Sequence, residues 1–104
     1  MSSDDGGPGF KVVYPEQVRQ EVAEQGKSLI KDKRAALLTA VKTIDRRLHD
    51  DPEEFGEPIF DLKRSGGQVR VGMIEPLTVR FAVYPKEKLV WVRWVRLLRE
   101  HRQD

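Results

Sequence analysis

In the last third of this chain arginines fall on the pleat opposite the apolar residues, and alternation is what a strand needs to carry charge on one face and hydrophobe on the other. In Leu77 to Tyr84, the residues Leu77, Val79, Phe81 and Val83 fall on one side of a pleated strand, and Thr78, Arg80, Ala82 and Tyr84 on the other. Gln68 to Met73 repeats the pattern, setting Val69, Val71 and Met73 against Gln68, Arg70 and Gly72. A third segment, Lys88 to Leu98, is apolar on both sides and is interrupted by Arg93 and Arg96. A guanidinium group stays charged and presents a planar fork of N–H donors that matches phosphate oxygens. Arg70, Arg80 and Arg93 are therefore candidate phosphate or RNA contacts, with Tyr84 beside them at a strand end next to the turn Pro85 to Lys88. Plainer readings stand alongside. Arg80 equally suits a solvated or ion-paired strand position, Tyr84 suits a strand end on propensity alone, and Trp91 suits a core or interface better than a stacked base.

Charge is unevenly distributed. The net charge is +2 over 104 residues, but residues 1 to 62 hold nine Lys and Arg against thirteen Asp and Glu, a balance of −4, and residues 63 to 104 hold ten against four, a balance of +6. Such asymmetry suits a side that faces a polyanion. The length allows one domain with one core. With no cysteine, neither a disulfide framework nor a thiolate metal site is available. The run Asp50, Asp51, Glu53, Glu54 lacks the alternating spacing of a cation loop and reads as a solvated acidic loop. No metal and no cofactor is expected. No segment reaches the roughly 18 apolar residues of a membrane span, and Met1 to Gly9 is too polar for a signal peptide, so a cytoplasmic protein is expected.

The elements that must position these arginines follow from local pattern. Residues 1–9 read as a disordered tail, with 10–104 as a single domain. Phe10 to Tyr14 reads as a short strand, and Pro15 opens a helix through Gln25, with Val18 and Val22 on one face and Gly26 as its stop. Ser28 opens a longer helix whose stripe is Ile30, Leu37, Val41, Ile44 and Leu48, ending at His49 to Pro52; His49 there suits the negative helix terminus. A turn-rich loop, a short Ile59 to Leu62 segment and the turn Ser65-Gly66-Gly67 lead into the three strands. Lys88 to Leu98, with Val90, Val92 and Trp94 on one face and Leu89, Trp91 and Val95 on the other, reads as a central strand. The fold class expected is α+β: an N-terminal strand, a two-helix hairpin, then a curved, mostly antiparallel sheet with both helices on one face.

From about Phe10 onward this order resembles the RelE/ParE superfamily of bacterial toxins. FKVVYPEQVRQEV is similar to the family's opening strand and helix, RRLHDDP to the end of its long helix, and DLKRSGGQVRVG to its leucine-containing turn and first basic strand. TVRFAVYPKEKLVWVRWVRLL is similar to its arginine-bearing strand, hairpin turn and last strand. The resemblance implies a toxin of a toxin–antitoxin pair, with a cognate antitoxin and ribosome-bound messenger as partners. Ribosome-dependent members cut messenger by driving the ribose 2′-OH onto the adjacent phosphate, with cations stabilising the developing charge. By position, Arg80 and Arg99 match the family's catalytic arginines, Arg70 falls near its basic strand, and His101 falls near where some members place a proton-transferring histidine. Thr78-Val79-Arg80 stands where the family often has Gly-Tyr-Arg, and no tyrosine follows Arg99. The alternative is therefore a non-catalytic binding module of this fold that docks on an antitoxin or on gyrase; homodimerisation is left open.

Overall fold

The computed structural model describes residues 9–98; Arg99 and His101, expected in a catalytic site, lie outside the described residues. The chain runs through β1 (Lys11–Val13), α1 (Glu16–Lys27), α2 (Lys31–Asp50), β2 (Glu57–Leu62), β3 (Gly67–Ile74), β4 (Leu77–Tyr84) and β5 (Leu89–Leu97). The strands form one five-stranded mixed sheet in the order β1-β5-β4-β3-β2. β2 to β5 are antiparallel neighbours, and β1 returns to lie parallel to β5.

Local chemistry explains most element ends. Pro15 immediately precedes α1, where its missing N–H is not needed, and its carbonyl accepts from Val18 and Arg19. Ser28 does not open the second helix as the pattern suggests. Its hydroxyl donates to the Gln25 carbonyl, and α2 begins at Lys31 after Leu29 has been buried. Both helices pack on one face of the sheet. Val18 of α1 and Leu37, Ala40, Ile44 and Leu48 of α2 meet Val79, Phe81 and Val83 of β4 and Val90, Val92 and Val95 of β5. Ile30 and Val41 depart from the expected stripe: Ile30 precedes the helix and is exposed, and Val41 is only half-buried, lining a groove between α1 and α2.

Two strands turn a different way from the alternation read in the sequence. Residues paired across an antiparallel ladder share a face, and β3 pairs Val69 with Ala82, Val71 with Arg80 and Met73 with Thr78. Val69, Val71 and Met73 therefore lie on the face away from the helices, and Arg70, opposite Phe81, lies on the helix side. The helix side of β3 has little apolar surface of its own, and the loop after α2 supplies it. The Phe55 ring stacks on Phe81 with centroids 5.7 Å apart, directly over Gly72, where a Cβ would come within 2.6 Å of that ring. In β5 the register against β4 slips between Arg80/Trp94 and Phe81/Val92, leaving Arg93 as an extra residue. This bulge reverses the phase of the strand. Val90, Val92, Val95 and Leu97 all face the helices, and Trp94, expected in the core, faces away.

The β5 edge beyond β1 has its own cover. β1 reaches only from Leu89 to Trp91; farther along, the Gln25 side-chain amide donates to the Val95 carbonyl at 2.9 Å and accepts from the Leu97 N–H at 2.7 Å. The amide of α1 thus occupies the place of a peptide unit in a missing strand.

Ile44 and Val41 separate core from groove experimentally. Ile44→Asp buries an unpaired carboxylate and should cost well over about 3 kcal/mol, abolishing the cooperative thermal transition. Val41→Asp, which can turn its carboxylate to solvent, should retain that transition at a lowered midpoint; equal losses for the two would contradict this packing.

Candidate nucleic-acid interface

The face of the sheet not covered by helices is built in rows that run across the strands. One row is Phe60, Val69, Ala82 and Trp91, and the next is Glu57, Val71, Arg80 and Trp94. Met73, Thr78 and Arg96 follow on one side, and Tyr84 and Leu89 on the other. The floor is fully buried at Val69 and Ala82, while Phe60, Trp91 and Met73 stand 48%, 44% and 58% exposed. Large apolar side chains left in solvent on one face mark a surface that meets something. The face is thus more apolar and aromatic than a row of guanidinium groups, with its charge concentrated at one place.

That place is Trp94. The guanidinium carbon of Arg80 lies 5.5 Å, and that of Arg96 4.6 Å, from the Trp94 ring centroid. Neither arginine enters an ion pair among the described residues. Arg80 Nε is buried without a hydrogen-bond partner among the described residues. A guanidinium group at this distance from an indole is attracted to the ring without using its N–H donors.

The residues expected to bind phosphate separate into three groups. Arg80 and Tyr84 lie on the uncovered face as expected; Tyr84 is half-buried and lies over Gly67, where a Cβ would meet its ring at 2.6 Å. Arg93 is exposed in the β5 bulge. Arg70, expected beside Arg80, is instead on the opposite side of the sheet, and its relative exposure is 8%. Its Nε and one terminal nitrogen donate to the carbonyls of Phe55 and Gly56, both at 3.0 Å, and the other to Gln68 Oε1 at 2.7 Å. Its hydrogen-bonding edge is spent on the loop that carries Phe55. Trp94, Arg96 and Phe60 were not among the expected contacts. A signal for the first two lies in Trp91-Val92-Arg93-Trp94-Val95-Arg96, a three-residue repeat that a two-residue pleat can accommodate only with an extra residue.

A second polar cluster lies on the helix side. The Tyr14 hydroxyl donates to Asp45 Oδ1, and His49 Nε2 stands 3.5 Å from the same oxygen. His49 Nδ1 is 2.8 Å from the Phe10 carbonyl, which only accepts, so Nδ1 carries a proton. The Phe10 N–H in turn donates to the His49 carbonyl at 2.9 Å. These bonds tie β1 to the end of α2, a more specific role for His49 than the helix-terminus interaction expected. Burial first, and then the bond to Asp45 and its charge, hold the Tyr14 phenol well above its usual range.

No family model, no curated protein and no solved structure matches this chain.

Two outcomes follow from this geometry. Arg70→Ala removes the donors to two loop carbonyls and should lower stability by about 2–4 kcal/mol in denaturant unfolding, with no change in the salt dependence of anion binding. Because Tyr14 stays protonated in the fold to higher pH than in the unfolded chain, the unfolded state holds fewer protons once pH passes about 10, and stability should fall as pH rises further. Thermal melts at alkaline pH should show this fall, and Tyr14→Phe should flatten it.

Proposed function

We propose that the protein is an RNA-binding component of the toxin type, which holds a single-stranded stretch of messenger across its uncovered sheet face. The observation that carries this reading is the presence, on one face, of the Phe60, Trp91 and Trp94 rings beside the Arg80 and Arg96 guanidinium groups. Every base has a π-face that can stack on such rings, and every phosphate accepts from a guanidinium fork, so the combination suits an unpaired strand better than a duplex. Lys11, paired with Leu89, adds positive charge at this side against Glu57, and Arg93 is exposed in the adjacent bulge. The RelE/ParE resemblance of the sequence supports the same face, since family members present their basic residues there, and a RelE/ParE-like arrangement is part of the proposal.

Within this reading Arg80 is a phosphate ligand. The resemblance implies further charge stabilisation by Arg99 and proton transfer by His101, while His49 is engaged on the helix side. A second reading is a binding module for a protein such as an antitoxin or gyrase, favoured by the exposed Ile30 and Leu38 on the helical side.

Chemical-shift mapping with a short single-stranded RNA should move Phe60, Trp91, Trp94 and Arg80, with affinity falling steeply as salt rises. Shifts confined to Ile30, Leu38 and their neighbours would transfer the argument to a protein partner. Induction in cells followed by primer extension tests cleavage. New messenger 5′ ends should appear for the wild type and drop by about a hundredfold or more for Arg80→Ala.

A further inference from the structure

We infer that Arg96, which neither the strand alternation nor the family resemblance singles out, joins Arg80 around Trp94 as a clamp for two successive phosphates of one RNA strand. The inference rests on the RNA-binding reading of this face and specifies how the backbone would cross it. Arg80 is paired directly with Trp94, and Arg96 lies one row farther along β5 opposite Thr78. Diagonal neighbours of this kind are about 7–8 Å apart, a spacing of the same order as that between successive phosphates in an extended strand. Both guanidinium groups lie within cation–π range of the one indole, which holds the two positive charges close together before a ligand arrives, and neither is used in an ion pair among the described residues.

A separate observation points to an acceptor from outside. Arg80 Nε is buried and has no partner within the described residues, a desolvated donor whose cost is recovered only when an acceptor is brought to it. Arg70 supplies the contrast: each of its three guanidinium nitrogens donates to an oxygen of the protein itself. The exposed Trp91 ring next to the clamp gives a base somewhere to stack, which an acidic peptide would not use.

The test uses oligouridylate, with Trp94 fluorescence read in a Trp91→Phe background over a series of salt concentrations. Binding should change Trp94 emission. Arg96→Gln, at an exposed position, should leave the thermal transition unchanged, weaken binding about tenfold, and reduce the slope of log affinity against log salt by about 0.7, the share of one phosphate contact on a single strand. Arg96→Lys should restore the slope and only part of the affinity, because an ammonium keeps the charge without the fork. An unchanged slope in Arg96→Gln would overturn the clamp while leaving RNA binding on this face in place. No binding by the otherwise wild-type protein would overturn both. Equal binding and an equal Arg96 effect with polyglutamate would show a general anion site and overturn the assignment to phosphate.

Discussion

Between Val92 and Trp94, β5 holds one residue more than β4 does opposite it, and Arg93 absorbs the difference. Val92 and Val95 are three residues apart, and a regular pleat would send one of them into solvent. The bulge lets both reach the helices, and it simultaneously turns Trp91 and Trp94, also three apart, to the uncovered face. Burial of two valines therefore determines where two indoles stand. The placement of Arg96 follows as well, since it is carried outward two residues after Trp94. The helix-packed core and the candidate interface are two readings of the same register slip.

On the other flank, a single loop does comparable work. Phe55 lies between the Phe81 ring and the Arg47 guanidinium carbon, 4.9 Å from its centroid, and Arg47 is tied to Asp51 at 2.9 Å. Gly72 leaves the space beneath the ring, Gly56 takes the positive φ of 73° that lets the chain turn into β2, and Arg70 fastens the carbonyls on either side of that turn. Arginine here replaces the apolar residue that a helix-facing strand position would ordinarily hold. Its stem is buried and its charge is met by carbonyl oxygens.

How much of this was legible in the sequence depended on how local each cause was. The bounds and facing of Leu77–Tyr84 follow from its own alternation, and Leu37, Ile44 and Leu48 from helical spacing; both agree with the packing. The two-layer arrangement of helices against a sheet follows from the order of these segments. The facing of β3 could not be read locally, because the apolar surface on its helix side comes from Phe55, twelve positions before Gly67 in the chain. Valine opposite arginine in Gln68 to Met73 suggested an inner Val69, yet the inner position belongs to Arg70 and the outer Val69 is buried on the uncovered face. Strict alternation puts Trp94 in the core, and the bulge at Arg93 turns it to the uncovered face. Alternation puts Arg80 and Tyr84 on the uncovered face because β4 is regular and is paired along its length by β3 on one side and β5 on the other, which fix its register.

The Gln25 amide has a wider effect than the two hydrogen bonds it makes. A sheet with bare edges is a template onto which further copies can add, strand upon strand. Here one flank is closed by the short β1 and then by a borrowed amide; at the opposite flank β2 contains Pro58, which lacks an N–H, and an irregular register between Pro58 and Phe60. Lateral growth is thus blunted in both directions. Such a chain can leave greasy rings on its broad side for a partner to find without offering its rim as the seed of a fibre.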